Sequence, residues 1–260
     1  MILKAHRWGA PVARCVVCLH GLTHHGGVFA ELGSRLASSG YSVIAFDLRG
    51  HGDSAPEPPW DLATHVDDFF DTLEAEGVRP AAWIGHSFGG RLAAEAAVRR
   101  PEFGAPLVML EPGLHVPPKV ALRSAETERL DWSFATLDGA VEAILAAPTT
   151  LAAPREVVAA FVRDDVRKGP DGRYRFRFSP AAAVVAWSEM ATPPPPIARC
   201  PTLLVMGKAS VRDDEALDRY AELLGSSFSF VEVPHGHNML WEAPGPTIEA
   251  IERFLGSAMP

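Results

Sequence analysis

The segment Gly85-His86-Ser87-Phe88-Gly89 contains the side chain best placed to act as a nucleophile, the hydroxyl of Ser87. It lies between an apolar run and an alanine-rich run, which predicts a strand, one abrupt turn and a helix. Such a turn is so crowded that positions two before and two after the serine cannot carry a side chain, and glycine fills both. The pattern predicts a serine held on a strained turn before a helix N-terminus, although the motif alone also fits a loop without chemistry.

A serine hydroxyl is a weak nucleophile until a base removes its proton and a third group orients that base. Of the ten histidines, His237 follows the last predicted strand and precedes the last predicted helix. This position places it on a loop at the sheet edge that carries Ser87. His235, two residues earlier, is the competing candidate for the base.

Three carboxylates are candidates for the group that orients the histidine. Glu111 ends an apolar run beyond the elbow helix, and a carboxylate that leaves a buried strand needs a partner or solvent. Asp213 and Asp214 follow a later apolar run, where acidic residues are also favoured as the first residues of a helix. We favour Glu111 and keep the two aspartates as alternatives.

Together these motifs resemble those of the α/β-hydrolases of the esterase, lipase and carbon–carbon hydrolase type. The matching segments, in the family's order, are His20-Gly21-Leu22, the loop Phe46–Ser54 with its D-x-R-G-x-G-x-S pattern, Gly85–Gly89 and Gly236-His237. The resemblance implies that the backbone N–H groups of Leu22 and Phe88 form an oxyanion hole. A serine at position 87 disfavours the family's epoxide hydrolases and haloalkane dehalogenases, whose nucleophile is a carboxylate.

The chain departs from the family pattern at the acid. Family members usually carry it three or four residues past the glycine here numbered Gly207, where this sequence has Ser210 and Val211. Some members place it instead after the strand that follows the elbow helix, which is the position of Glu111.

Apolar runs alternate with amphipathic segments on both sides of a central region, which predicts an α/β fold with a mostly parallel, doubly wound sheet. Predicted strands cover 2–8, 13–19, 41–46, 81–84, 106–110, 202–206 and 227–233, and predicted helices cover 29–37, 64–76, the elbow to about residue 100, 213–224 and 246–255. Cys15 and Cys18 fall on one strand and point to opposite faces, so we expect core thiols and no metal or disulfide.

The alternation stops between residues 113 and 196, a region that ends in four prolines. We therefore predict a hydrolase core of residues 1–112 and 197–260, with a largely helical cap, or lid, of residues 113–196 inserted after the strand that ends near Leu110. The alternating segment Arg173–Phe178 fits a solvated strand better than a row that binds anions. The predicted pocket residues, of which the aromatic ones and Met190 could equally form the core of the cap, are His24, His25, His86, Trp132, Phe134, Phe161, Trp187 and Met190.

The composition of the 260 residues is that of an ordinary globular protein, with 47% hydrophobic and 22% charged residues. A net charge of -8 disfavours a nucleic-acid partner. No window fits a membrane span and no secretory leader is evident, so we expect a cytoplasmic monomer or homodimer. We expect no cofactor and no metal, since the adjacent His24 and His25 lack the spacing of a ligand pair on one face.

The leading functional hypothesis is a serine hydrolase that cleaves a small carboxylic ester or a lactone through an acyl-enzyme on Ser87. The alternatives are hydrolysis of a carbon–carbon bond beside a ketone, cofactor-free perhydrolysis, and a receptor that binds a small molecule without turnover.

Overall fold

The computed structural model of the protein describes residues 1–11, 14–147, 152–210 and 213–259. A central sheet of seven strands organises the chain. These strands are β1 (Ala5–Trp8), β2 (Cys15–Leu19), β3 (Ser42–Phe46), β4 (Pro80–His86), β5 (Leu107–Leu110), β9 (Thr202–Gly207) and β10 (Phe228–Val233). Their spatial order is β1-β3-β2-β4-β5-β9-β10, and within this sheet only β1 runs antiparallel to its neighbour. The mostly parallel, doubly wound α/β sheet that the sequence predicts is therefore confirmed.

Helices cover both faces of this sheet, as parallel strands require. They are α1 (Ala30–Ser38), α2 (Leu62–Ala75), α3 (Phe88–Arg99), α8 (Asp214–Leu224), the short α9 (Met239–Glu242) and α10 (Pro244–Ala258). One apolar layer holds Leu32 and Ile251 from α1 and α10, and the other holds Phe69 and Leu92 from α2 and α3. Burying each such side chain contributes roughly 1.5 to 3 kcal/mol, so these two layers stabilise the sheet.

The predicted strands and helices all form, with ends that shift by one to a few residues. The largest difference is at the first strand, which is predicted over residues 2–8 and observed over Ala5–Trp8. Residue 13, the first of the second predicted strand, lies outside the described residues. Cys15 and Cys18 are free and buried in opposite apolar layers, as the alternation along a strand predicts.

Between β5 and β9, which pair directly with each other, the chain leaves the sheet and forms a separate set of elements. Its helices and strands are α4 (Pro118–Glu128), β6 (Ser133–Phe134), α5 (Leu137–Leu145), α6 (Arg155–Asp165), β7 (Val166–Lys168), β8 (Tyr174–Phe176) and α7 (Pro180–Met190). The three strands make a small antiparallel sheet in the order β6-β8-β7. We call this excursion the cap; its bounds at residues 113 and 196 stay a prediction.

Tyr174–Phe176, within the alternating segment Arg173–Phe178, does form a strand, but the charged side of the segment is only partly solvated. Arg175 is exposed and pairs with Asp171, whereas the side chain of Arg177 is 9% exposed and pairs with Asp53. The solvated face predicted for the row therefore holds for Arg175 and not for Arg177. Within the described ranges, no helix has both the length and the apolar character needed to cross a bilayer.

Candidate active site

Ser87 occupies a strained turn between β4 and α3. Its φ of 53° and ψ of −117° place a non-glycine residue in a sparsely populated region of backbone space. A Cβ on Gly85 would lie 2.2 Å from the carbonyl oxygen of Gly89, and one on Gly89 would lie 2.0 Å from that of Leu19. A side chain at either position would collide with backbone atoms, so both positions require glycine. This is the steric reason that the sequence analysis predicts.

Backbone hydrogen bonds on both sides hold this turn. The Ser87 amide donates to the carbonyl of Leu110 at 3.0 Å, and the amides of Gly90 and Gly113 both donate to the Ser87 carbonyl at 2.9 Å. The backbone of the serine is therefore fixed by its own helix and by the chain that follows β5.

His237 and Glu111 meet at the carboxyl edge of the sheet. The imidazole Nδ1 of His237 lies 3.2 Å from the Glu111 carboxylate oxygen Oε1. Glu111 follows β5, next to the elbow strand, and the loop after β10 reaches back over β9 to bring the histidine there. The ring of His86 anchors this loop, since its Nε2 lies 2.8 Å from the His237 carbonyl, and the two rings are 4.9 Å apart.

Two further donors fix the Glu111 carboxylate. The hydroxyl of Ser210 donates to Oε1 at 2.5 Å, and the amide of Gly207 donates to Oε2 at 3.0 Å. Burial, the largest influence, raises the pKa of Glu111, but the hydrogen bonds with His237, Ser210 and Gly207 together hold that pKa below its usual value. The carboxylate is therefore ionised at neutral pH and can accept a hydrogen bond from Nδ1–H of His237.

The competing acids and the competing base lie elsewhere. Asp213 is exposed and caps α8, accepting the amide of Ala216 at 3.0 Å, and Asp214 is an exposed residue in the first turn of that helix. His235 is exposed and does not line the cavity that contains Ser87. Val211 lies outside the described residues.

Of the two residues whose backbone amides are expected to form an oxyanion hole, Phe88 follows Ser87 directly and Leu22 lines the same cavity as Ser87. Phe88 is the first residue of α3, so its amide has no partner within that helix. The carbonyl of Leu22 accepts from Nδ1 of His24 at 2.8 Å, which fixes the conformation of the Gly21-Leu22 segment. The adjacent His20 ring joins this segment to the next loop, because the Leu48 amide donates to its Nε2 at 3.0 Å while Nδ1–H donates to the Gly21 carbonyl at 2.7 Å.

A cavity of about 590 Å³ lies between the sheet edge and the cap, and both Ser87 and His237 line it. Of the predicted pocket residues, His24, His86, Trp132, Phe161 and Trp187 line it as well. The wall also includes residues that sequence reasoning did not identify, Arg123, Thr127, Glu128, Ile144, Phe176, Phe178, Asn238 and Trp241 among them. The cavity is thus mainly aromatic and apolar, with its polar groups on α4 and at the sheet edge.

Three of the residues predicted to line the pocket do not line the cavity. Phe134 packs edge-on against Phe176 at 5.8 Å in the interior of the cap. Met190 is buried at the end of α7, where its sulfur would meet a Cβ on Gly113 at 2.5 Å. His25 is buried behind Phe161, and its ring stacks on that side chain at 5.5 Å.

The residues missed by sequence reasoning carried weak signals. Ser210 occupies the position where the family usually has its acid. Once Glu111 is chosen as the acid, Ser210 becomes a candidate hydrogen-bond donor to it. Trp241 lies on α9, directly after the loop that carries His237, and its ring lies 4.9 Å from that of His24. The cap residues carried no signal, since only the folded cap brings them to the cavity.

Comparison with known proteins agrees with this fold. The family model of the alpha/beta hydrolase fold matches residues 14–244. Lipase LipV of Mycobacterium tuberculosis (strain H37Rv) is 30% identical over 267 residues, covering 98% of this chain and 99% of the lipase. A putative non-heme haloperoxidase of Mycobacterium phage D29 is 36% identical over 107 residues, covering 40% of this chain and 36% of its own length.

Among solved structures, E-2-(acetamidomethylene)succinate hydrolase superposes with a TM-score of 0.81 at 26% identity, covering 98% of this chain and 95% of the hydrolase. The match thus extends over the seven-stranded sheet and the cap together. The chain belongs to the alpha/beta hydrolase fold family.

Proposed function

We propose that the protein hydrolyses a small carboxylic ester or lactone, with Ser87 as nucleophile, His237 as general base and Glu111 as the orienting acid. The observation that carries the proposal is the hydrogen bond between His237 Nδ1 and Glu111, made by a ring that lines the same cavity as Ser87. Glu111 accepts from Nδ1–H, which leaves Nε2 free to accept the serine proton. The lipase relative supports an ester as the substrate.

In the proposed reaction Ser87 Oγ attacks the ester carbonyl carbon while its proton passes to Nε2 of His237. The negative charge that forms on the carbonyl oxygen is stabilised by the N–H groups of Phe88 and Leu22. The imidazolium then protonates the leaving alcohol, and water, activated by the same ring, hydrolyses the acyl-enzyme. The turn fixed around Ser87 supports this role because little rearrangement is needed during the reaction.

The cavity wall favours an apolar substrate with one polar group. The aromatic rings of Trp132, Phe161 and Trp241 supply most of the contact surface for an acyl or alkyl chain. Burial raises the pKa of the Glu128 carboxyl, and its contact with Trp187 partly offsets that rise. This pair supplies a polar group on the cavity wall that a substrate hydroxyl or amide can meet.

We further propose that residues 113–196 act as the cap over this cavity. The amide of Gly52 donates to the Arg177 carbonyl and that of Ser179 donates to the Gly50 carbonyl, both at 2.7 Å. At the other side of the cap, the Leu62 amide donates to Glu189 at 3.0 Å. These hydrogen bonds hold the cap against the core loops and support its role in enclosing the substrate.

The experiment that tests the proposal is replacement of the nucleophile, assayed on p-nitrophenyl esters of increasing acyl length. Ser87→Ala should lower kcat by about 10⁴-fold or more and abolish covalent labelling by a fluorophosphonate. Ser34→Ala, an exposed serine on α1, is the matched control and should keep both. Retention of more than a few per cent of activity by Ser87→Ala would remove Ser87 as nucleophile. Absence of turnover by the unmodified protein, with a ligand that raises its Tm, would favour a receptor.

A second candidate function is perhydrolysis, which the match to a putative haloperoxidase favours. The same acyl-enzyme would be attacked by hydrogen peroxide in place of water, giving a peracid. Formation of peracid from acetate and peroxide, measured by monochlorodimedone bromination and lost in Ser87→Ala, would identify it. Ester hydrolysis without this reaction would leave the esterase proposal alone.

A further inference from the structure

The cavity that contains Ser87 has a polar wall, formed by helix α4 of the cap. Arg123, Ser124, Thr127 and Glu128 of this helix all line the cavity, and their spacing of three and four residues places them on one face, which we call the α4 face. The other cap residues of the lining are aromatic or aliphatic. A few polar groups on an otherwise apolar wall are typical of a site that fixes the orientation of a ligand.

The α4 face has hydrogen-bonding capacity that the protein itself does not use. Within the part of the chain that the structure describes, neither the Arg123 guanidinium nor the Ser124 hydroxyl has a hydrogen-bond or ion-pair partner. The Thr127 hydroxyl donates to the Arg123 carbonyl at 3.2 Å, so its oxygen can still accept a hydrogen bond. The face therefore presents an unpaired cation and two hydroxyl groups to the cavity.

The charges of the lining favour an anionic ligand. Arg123 keeps its positive charge at ordinary pH. Burial raises the pKa of Glu128, so the negative form of this side chain is disfavoured, and contact with Trp187 only partly offsets the rise. Burial also lowers the pKa of His24 to about 4 and that of His86 well below its ordinary value, so both rings are neutral at pH 7. An anion would thus meet an unpaired cation and an acid whose charge is disfavoured.

We propose that the α4 face binds a carboxylate of the substrate, so that the preferred esters carry a free carboxylate remote from the scissile bond. This assignment rests on the proposed ester hydrolysis and narrows its substrate class. The planar fork of Arg123 matches the geometry of a carboxylate, and the Ser124 hydroxyl can donate to the same group. The aromatic side chains of the cavity supply contact for the chain that joins the carboxylate to the ester.

Glu128 suits this site as a neutral acid. A carboxylate bound beside it would disfavour its charged form further, because two like charges repel each other at short distance. The protonated carboxyl group can then donate a hydrogen bond to the substrate carboxylate. An uncharged side chain of the same shape should therefore serve as well as glutamate.

The test compares pairs of esters that differ only in one remote group, a carboxylate or the corresponding primary amide. Monomethyl adipate and its ester amide place this group on the acyl side, and the acetate esters of 6-hydroxyhexanoic acid and its amide place it on the alcohol side. Acid release in a pH-stat gives kcat/KM for each ester. In at least one of the two pairs we expect the carboxylate ester to exceed the amide by about 10-fold or more, because a hydrogen bond to a charged group is gained.

Arg123→Gln should remove most of this carboxylate-to-amide ratio while hydrolysis of the amide esters stays within about twofold. Arg123→Lys keeps the charge but loses the planar fork, so it should retain part of the ratio. Glu128→Gln cannot ionise and should keep the ratio or raise it. Arg129→Gln is the matched control, since Arg129 is exposed at the C-terminal end of α4 outside the lining, and it should leave the ratio unchanged.

A binding measurement separates this proposal from ester hydrolysis itself. The carboxylate ester of the preferred pair, titrated by calorimetry, should bind Ser87→Ala about 10-fold more tightly than the double variant Ser87→Ala, Arg123→Gln, and added salt should narrow the difference. Such binding without turnover by the unmodified protein would support the α4 face and overturn the hydrolase. Hydrolysis of both amide esters with no preference for a carboxylate would overturn the α4 face and leave the hydrolase standing.

Equal ratios in the unmodified protein and in Arg123→Gln would also overturn the proposal. A ratio that is lost in Glu128→Gln and kept in Arg123→Gln would do the same, because the carboxylate would then be held by the acid and not by the cation.

Discussion

Glu111 leaves β5 with a φ of 43°, a left-handed conformation that costs a non-glycine residue roughly 1 to 3 kcal/mol. The hydrogen bonds from Ser210, Gly207 and His237 hold it there. The strained backbone conformation of Glu111 places its carboxylate within hydrogen-bond distance of the His237 imidazole. The hydroxyl of Ser210, at the family's usual acid position, now supports an acid supplied by a different strand.

Replacing this carboxylate is the sharpest test at the residue scale. Glu111→Gln should lower kcat by about 100-fold or more with little change in KM, because the amide cannot hold the required tautomer or stabilise the imidazolium. Asp213→Asn is the matched control: it removes an acid from α8 and should cost less than about tenfold. Steady-state kinetics on one p-nitrophenyl ester compares the two variants. A larger loss of kcat in Asp213→Asn than in Glu111→Gln would identify the acid as Asp213, in the segment after β9.

Ser210 offers a milder change at the same carboxylate. Ser210→Ala removes a donor to Oε1, so the pKa of Glu111 should rise towards its ordinary value. The side chain should stay ionised at neutral pH, so kcat at pH 8 should fall by less than about tenfold. At pH 5 the loss relative to the unmodified protein should be larger, because more of the carboxyl is protonated. An equal loss at both pH values would show that Ser210 acts only by packing.

At the scale of elements, the elbow between β4 and α3 is the part most constrained by backbone contact. The Cβ of an alanine at position 89 would overlap the Leu19 carbonyl at 2.0 Å, and backbone cannot move aside as a flexible side chain can. Gly89→Ala should therefore lower the free energy of unfolding by several kcal/mol, or prevent folding.

Gly256, inside α10, provides the matched control. Among the described residues, nothing outside the helix's own backbone lies within 4 Å of a Cβ added there, so Gly256→Ala should be neutral or raise the free energy of unfolding by up to about 1 kcal/mol through helix propensity. Urea unfolding followed by circular dichroism compares the two variants. Similar stabilities for both would show that the turn relaxes around the added methyl group.

The strands and helices of the sheet were predictable because each carries its own signal, such as the buried run Ser42–Phe46 or the amphipathic period of Leu62–Ala75. The elbow and the histidine loop were predictable from local chemistry for the same reason. The wall of the cavity was not, because Phe176 and Trp241 become neighbours of Ser87 only when separate segments fold together. The antiparallel sheet of the cap escaped prediction because strands of two or three residues carry almost no period.

At the scale of the whole molecule, buried histidines connect stability to pH. His65 on α2 is 1% exposed, packs edge-on against Phe88 at 5.5 Å, and its Nδ1 has no hydrogen-bond partner among the described residues. Burial lowers the pKa of His65 to about 3, the positive groups His51 and Arg49 add to the lowering, and Asp68 and Asp61 oppose it. Burial likewise lowers the pKa of His86 well below its ordinary value.

The unfolded chain therefore binds more protons than the folded one as the pH falls below about 6.5, the ordinary pKa of histidine. The free energy of unfolding should decrease on acidification by about 1.4 kcal/mol per pH unit for each such histidine, from pH 6.5 down to the folded pKa. His65→Phe keeps an aromatic ring against Phe88 and removes one titrating group, so its stability should decline less steeply between pH 6 and 5. His115→Gln, at an exposed position, should leave the slope unchanged. Urea unfolding at pH 7.5, 6.0 and 5.0 measures the three slopes, and parallel lines for all three would show that His65 takes up its proton without unfolding.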